Sequence, residues 1–206
     1  MDETAFLALV GIASGVMATL TGLATASSMS IWRRRRRRNV FLLALAIAIA
    51  MAMTFGWVAR QPVSSLIFAG ACGTAASAAA LDLAIRRVHD LGTFAVALAG
   101  LAHAALTSTL MSSLVASAGS MAILGLAGLV TTVRRGSTAL GLGDILFACA
   151  CGLWVNPALL APALLMSVAA SVVIERPWRS DASVRIAFVP GLALGYGIAA
   201  VGAQIV

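Results

Sequence analysis

Two aspartates at the ends of apolar segments are the residues of this chain best suited to catalysis. Asp82 lies near the end of one apolar segment, and Asp144 follows Gly141-Leu142-Gly143 at the start of another. An ionisable group at membrane depth is costly and is retained mainly where it has a function. Two neighbouring carboxylates cannot both ionise easily, so one keeps its proton while the other acts as general base on a shared water. The pair therefore predicts hydrolysis by activated water, with no metal and no cofactor.

The two glycines before Asp144 have a separate predicted use. Gly141 and Gly143 carry no side chains, so an extended substrate backbone can approach the Asp144 carboxylate closely. No serine or cysteine has a convincing base in the sequence, because His89 and His103 are the only histidines. His103 lies within an apolar segment, and we interpret it as a hydrogen-bonded packing residue.

The composition places these residues in a membrane protein. Hydrophobic residues make up 61% of the 206 residues and charged residues 10%, with a mean hydropathy of +1.02. Soluble domains average about 45–50% apolar and about 25% charged residues. The chain is therefore predicted to be all-α, a polytopic transmembrane helical bundle that forms a single integral membrane domain over residues 1–206, with the lipid bilayer as its surroundings.

Apolar runs separated by short polar breaks predict about eight transmembrane helices. They cover about residues 5–31, 40–58, 63–85, 91–110, 114–133, 140–156, 158–174 and 186–206. The shortest break is Asn156-Pro157, between the sixth and seventh helices. Gly11/Gly15 and Gly191/Gly195 have the G-x-x-x-G spacing that predicts close helix packing in lipid.

The basic residues predict the orientation of the bundle. All fourteen are arginines in the gaps between apolar runs. With eight alternating spans, every arginine except Arg60 falls on one face, which the positive-inside rule makes cytoplasmic. Asp82 and Asp144 fall on this face, so we expect a multi-pass protein of the inner or plasma membrane with its candidate site facing the cytoplasm and both termini outside. The net charge of +7 is then topogenic, and no nucleic-acid partner is predicted because aromatic and basic residues do not interleave.

Structural rather than catalytic roles account for several other residues. Arg86 lies at i+4 from Asp82, so a helix-face ion pair is the alternative to a catalytic role for that aspartate. Asp90 suits the N-cap of the fourth helix. The three cysteines, Cys72, Cys149 and Cys151, have neither C-x-x-C nor zinc-site spacing. We interpret them as thiols packed inside the bundle.

Two stretches resemble the type IV prepilin peptidase family, also called leader peptidases. Residues 80–90, Ala-Leu-Asp-Leu-Ala-Ile-Arg-Arg-Val-His-Asp, resemble the first aspartate motif of that family, and Gly-Leu-Gly-Asp at 141–144 matches its second. Residues 188–195, which begin Phe-Val-Pro-Gly, are similar to its closing motif. The resemblance covers about residues 69–206, which we predict to be a prepilin-peptidase-like core.

The resemblance implies an activity and a substrate. It implies a membrane-embedded aspartic endopeptidase of the GxGD type, with Asp82 and Asp144 as its catalytic residues. The substrates would be type IV prepilin-like precursors, which lose a basic leader peptide at the cytoplasmic face, just before their hydrophobic helix. The zinc-binding C-x-x-C…C-x-x-C loop of the bifunctional members is missing here, so methyltransferase activity is not predicted.

Three alternatives remain open from the sequence. Presenilin-type intramembrane proteases share Gly-Leu-Gly-Asp, although two whole predicted helices separate the aspartates here. The chain has His89 where the family usually has proline and Leu146 where it often has lysine, which fits a catalytically inactive scaffold of a pilus or secretion system. A small transporter with a proton relay is the third alternative, and carboxylates at one face rather than at the midplane disfavour it.

Overall fold

The chain folds into a bundle of helices, as its apolar runs predict. The computed structural model describes residues 3–27, 35–85, 90–135, 140–175 and 187–204. Within these ranges there is no strand, and the α-helices are α1 (Glu3–Ser27), α2 (Arg35–Ala59), α3 (Pro62–Ile85), α4 (Asp90–Leu106), α5 (Leu110–Arg135), α6 (Leu142–Gly152), α7 (Leu160–Glu175) and α8 (Val189–Gly202). A 3-10 turn, Pro157–Leu159, precedes α7. The predicted all-α bundle of eight helices is confirmed.

The helices differ in whether they can cross a bilayer. Five, namely α1, α2, α3, α5 and α7 with its 3-10 turn, are long and apolar enough to do so, which supports a multi-pass membrane protein. The helices α4, α6 and α8 are shorter. The 11 residues of α6 rise about 16 Å, roughly half of a 30 Å hydrocarbon core.

Several helix boundaries differ from those expected. α2 begins at Arg35, inside the arginine run, because arginine is a good helix former and the run needs only to stay out of hydrocarbon. α4 ends at Leu106 and a turn begins at Thr107, where the Thr107 hydroxyl bonds the His103 carbonyl at 2.9 Å. α6 ends at Gly152. The next three residues, Leu153–Val155, form a turn in which each backbone N–H donates to the carbonyl three residues before it.

α3 is the central helix of the bundle. It packs against α1, α2, α4 and α8. Of its span, 72% is buried inside the protein, against 28–33% for the other four spans. α6 lies against α4, α5 and α8, and α7 packs along α8. The two helices that carry the candidate aspartates, α3 and α6, therefore both contact α8.

Small residues bring α8 against α7. A Cβ added at Gly195 would lie 2.6 Å from the Ala163 carbonyl oxygen, and one at Gly191 would lie 2.8 Å from the Ser171 nitrogen. Both would also collide with a serine hydroxyl, that of Ser167 or Ser171. The close packing predicted for this G-x-x-x-G pair is confirmed, and it fixes where α8 begins.

The second predicted glycine pair joins α1 to α2. A Cβ at Gly56 of α2 would lie 3.3 Å from the Gly11 Cα, and one at Gly15 would lie 3.2 Å from the Met53 side chain. Ser14 is fully buried in the same contact. Close packing is confirmed here too, between α1 and α2.

Candidate active site

Asp82 lies in the last turn of α3 and is only 4% exposed. Its Oδ2 accepts a hydrogen bond from the backbone N–H of Val189 at 3.2 Å. Val189 is the first residue of α8, so this N–H has no partner within its own helix. The positive end of the α8 dipole also faces the carboxylate. Asp82 therefore caps a helix that follows it by more than a hundred residues.

The start of α8 is built to present that donor. Pro190 follows Val189 at the second helical position, where a missing N–H removes nothing from the helix and the fixed φ favours it. The residues around this start, Phe188–Leu192, are buried. Leu192 closes the first turn by donating to the Phe188 carbonyl at 3.0 Å. Packing against α7 and this turn together hold the Val189 N–H in front of Asp82.

Asp144 is held locally, by the start of its own helix. It is the third residue of α6, and its Oδ2 accepts the backbone N–H of Gly141 at 3.1 Å. This is the returning half of a capping box, whose other half needs a side chain that glycine lacks. The Asp144 side chain is half-buried. It is therefore closer to the surroundings of the protein than Asp82 is.

Gly141 leaves space for the carboxylate. Its backbone is extended, with φ −76° and ψ 150°, a conformation open to any residue. A Cβ here would lie 3.2 Å from the Asp144 Oδ2, tighter than an ordinary contact. Gly141 is exposed, and Gly143 is partly exposed in the first turn of α6. Their predicted role in admitting a substrate backbone stays a prediction.

Neighbouring residues of α3 and of the segment from α6 to Trp154 show how these two helices run relative to each other. A small cavity, of about 40 Å³, is lined by Cys72 of α3, Cys151 of α6 and Tyr196 of α8. Beyond Cys151 the chain continues to Trp154, whose ring lies 5.2 Å from that of Phe68. Phe68 precedes Cys72 on α3, so moving forward along α6 corresponds to moving backward along α3. The two helices run in opposite directions.

This antiparallel arrangement puts both aspartates at one end of the bundle. Asp82 is ten residues beyond Cys72 on α3, a rise of about 15 Å. Asp144 is seven residues before Cys151 on α6, a rise of about 10 Å in the same direction. Their depths along the bundle therefore differ by about 5 Å. Arg86, the predicted ion-pair partner of Asp82, and His89 lie outside the described residues.

A second polar pair lies at the opposite end of α3. The Ser64 hydroxyl and the His103 Nδ1 are 2.6 Å apart, and the His103 ring stacks on Trp154 with centroids 5.0 Å apart. The predicted hydrogen-bonded packing role of His103 is confirmed. The contact between Ser64 and His103 was not predicted from the sequence. Both side chains are over nine-tenths buried, among aromatic rings, which makes the pair part of the packing.

The cysteines pack inside the bundle, as expected. Cys72 and Cys151 are buried free thiols, and Cys149 is partly buried. The Ser117 hydroxyl donates to the Cys149 carbonyl at 2.8 Å and so links α5 to α6. Over the described ranges, no three His, Cys, Asp or Glu side chains cluster as metal ligands would.

Comparison with known proteins assigns the chain to a family. The model of the type IV leader peptidase family matches residues 68–175, which is just over half of the chain and includes both aspartates. The protein belongs to the type IV leader peptidase family and is a peptidase. Searches of the curated proteins and of the solved structures found no match. The match runs from α3 to α7, so α8, which donates to Asp82, follows it in the chain.

Proposed function

We propose that this peptidase is an aspartic endopeptidase that cleaves the leader peptide of type IV prepilin-like precursors. The observation that supports it best is the placement of Asp82 and Asp144, within the matched residues, at one end of the bundle. Each carboxylate accepts a backbone N–H at a helix N-terminus. We further propose that residues 69–206 form the catalytic core, because α8 supplies the donor to Asp82.

The proposed chemistry needs two carboxylates in different protonation states. The ionised one takes a proton from a water molecule, whose oxygen then bonds to the carbonyl carbon of the scissile peptide bond. The protonated one gives its proton to the departing amine as the carbon–nitrogen bond breaks. Like charges at short range favour this single shared proton. Asp82 and Asp144 fill both roles without a further group.

We also propose that the reaction takes place at the cytoplasmic face. In the sequence, arginines come directly after α3 (86–87), at the end of α5 (134–135) and at the start of α2 (35–38). Arginine-rich gaps mark the cytoplasmic side of a membrane protein. A basic leader that stays in the cytoplasm would then reach Asp82 and Asp144 just before an apolar segment enters the bilayer.

The test is leader cleavage of a co-expressed prepilin-like precursor by the full-length protein in membranes. We expect Asp82→Asn and Asp144→Asn each to lower the cleavage rate by at least about 10²-fold, since each removes a general acid or base. Asp90→Asn is the matched control, because Asp90 is exposed at the start of α4 and should leave cleavage unchanged. Normal cleavage by either Asp82→Asn or Asp144→Asn would refute the proposal that these two aspartates are the catalytic pair.

Failure of the wild-type protein would point to the alternative of an inactive scaffold. Leu146, which motivates that alternative, is 41% exposed on the first turns of α6, so its side chain does not fill the interior beside Asp144. If several precursors remain uncleaved at normal protein levels, the scaffold replaces the peptidase. Cleavage within the apolar segment of a substrate, rather than before it, would instead favour a presenilin-like protease.

A further inference from the structure

A larger apolar cavity lies near Asp82 and shares Met51 and Cys72 of its lining with the small cavity between the cysteines. It encloses about 300 Å³ and is formed by α2, α3, α7 and α8. This size is at the lower end of the 300–1,000 Å³ range of small-molecule pockets, too small for a whole helix about 10–12 Å across. The residues that define it best are Leu43, Met51, Ala79, Leu83, Val173 and Pro190. We call it the α2–α7 groove.

The groove opens on the outside of the bundle. Leu43 of α2 and Val173 of α7 both line it, and they are 64% and 69% exposed. Its deeper lining comes from α3 and α8. Ala76 and Ala79 of α3, for example, are buried. In a multi-pass membrane protein such an outward face meets lipid chains. An apolar segment in the bilayer can therefore enter the groove sideways, without crossing water.

Residues on either side of Asp82 line the groove. Ala79 lies one turn before Asp82 on α3, and Leu83 directly follows it. Pro190 lines the groove as well, and it follows Val189, the residue whose N–H holds the Asp82 carboxylate. A ligand that fills the groove therefore contacts the residues that flank Asp82 on α3 and the residue that follows its N–H donor on α8. A lipid chain would gain nothing from that carboxylate, whereas a polypeptide has an amide bond to place there.

We propose that the α2–α7 groove binds the apolar segment of the polypeptide substrate, which enters laterally from the bilayer and is thereby aligned with Asp82. This inference rests on the proposed function and deepens it by assigning the substrate-binding surface. The groove takes side chains from one face of the segment, while the rest of the segment stays in lipid. Specificity for an apolar stretch next to the cleavage site then comes from α2 and α7, outside the reacting groups.

Site-specific photocrosslinking tests the location. A photoreactive phenylalanine analogue is placed at Leu43 or Val173, and the matched controls carry it at Leu42 or Val172. The control positions are 51% and 56% exposed and lie outside the groove lining. The full-length Asp144→Asn protein, in membranes with a prepilin-like precursor, keeps the substrate uncleaved. We expect several-fold more precursor crosslinked from 43 and 173 than from 42 and 172, and equal or absent crosslinking would overturn the proposal.

A substitution that fills the groove tests its effect on cleavage. Ala44 lines the α2 wall of the groove, whereas Ala46 is exposed on the same helix outside it. We expect Ala44→Phe to raise the KM for precursor by about tenfold or more, as misfit in an apolar pocket does, with kcat largely kept. Ala46→Phe should leave both unchanged. An unchanged KM in Ala44→Phe, with lipid as the species labelled from 43 and 173, would overturn the proposal in favour of a lipid site.

The two hypotheses fail in different ways. If the wild-type protein cleaves precursor but crosslinks do not favour the groove, the groove assignment is wrong and the proposed function stands. If the wild-type protein cleaves no precursor, the proposed function fails. Crosslinking still decides whether the groove binds an apolar polypeptide, because it requires no turnover.

Discussion

Asp82 and Asp144 carry the same carboxyl group but are held by opposite means. Asp82 is buried, and its backbone partner, Val189, is 107 residues away in the chain. Asp144 is half-buried, and its backbone partner, Gly141, is three residues away. The position of the first carboxylate depends on how three helices pack, and that of the second depends on one turn of chain. The proposed site therefore combines a group positioned by tertiary structure with a group positioned by local sequence.

This contrast implies that different structural changes displace the two carboxylates. Anything that shifts α8 on α7 moves the N–H that Asp82 accepts, while leaving the turn at Gly141 intact. Anything that crowds Gly141 disturbs Asp144 and leaves α8 in place. Substitutions chosen from the two regions should therefore separate loss of folding from loss of catalysis.

The largest effect is expected for Gly191→Ala on α8. The new Cβ would lie 2.8 Å from the Ser171 nitrogen and would also collide with the Ser167 carbonyl and the Ser171 hydroxyl. Two of these groups are backbone and cannot rotate away, so α8 must shift. We expect a loss of about 1–3 kcal/mol in the free energy of unfolding, with a marked fall in cleavage as Val189 leaves Asp82. Thermal unfolding in detergent and precursor cleavage measure the two.

The control for this variant is Gly202→Ala, at the other end of the same helix. A Cβ at Gly202 meets nothing within 4 Å, so stability and cleavage should match the wild type. Equal behaviour of the two variants would show that α8 does not depend on its contact with α7. The account of how Asp82 is positioned would then be wrong.

An effect on cleavage rather than on stability is expected for Gly141→Ala, which crowds the other carboxylate. Its Cβ would lie 3.2 Å from the Asp144 Oδ2, so the carboxylate must shift by a few tenths of an ångström from its place at the Gly141 N–H. We expect up to about tenfold slower cleavage, corresponding to about 1.4 kcal/mol, which is within the range of one hydrogen bond. The free energy of unfolding should change little, because Gly141 is exposed. A large loss of stability with unchanged kcat per folded molecule would contradict the assigned role of this glycine.

The same contrast explains what the sequence could predict. The number of helices can be predicted because a helix in lipid needs a long run of apolar residues, which is visible in the sequence. The start of α6 at Gly141-Leu142-Gly143-Asp144 is also local, and its position was predicted within two residues. The end of α6 was not, because Leu153–Val155 is apolar yet forms a buried turn.

Long-range partners were beyond prediction. Nothing near Asp82 in the sequence indicates that the first N–H of α8 caps it, since the pairing depends on how α8 packs against α7. The contact between Ser64 and His103 joins residues 39 positions apart and has no motif. Alternating apolar segments fix helices and their faces, but the partner of a buried polar group appears only once the helices are packed.

A third prediction concerns His103, at the end of the bundle away from both aspartates. His103→Phe keeps a ring to stack on Trp154 but removes the partner of the buried Ser64 hydroxyl. We expect a loss of about 1–3 kcal/mol in the free energy of unfolding, the cost of an unsatisfied buried polar group. Cleavage per folded molecule should be unchanged, because Ser64 precedes Asp82 on α3 by about 27 Å of rise. A fall in kcat without a fall in stability would instead link His103 to the reaction.

The smallest effect is expected for Gly125→Ala, on α5. A Cβ at Gly125 meets nothing within 4 Å, and alanine is favoured over glycine in a helix by about 1 kcal/mol. The variant should therefore be slightly more stable than the wild type and cleave precursor equally well. Both this variant and Gly191→Ala add the same methyl group to a helix, so helix propensity changes equally in the two. The difference between their free energies of unfolding therefore measures the cost of close packing at Gly191. If Gly125→Ala were as destabilising as Gly191→Ala, the cost would come from adding any methyl group to these helices, and the tight contact between α7 and α8 would no longer explain how Asp82 is held.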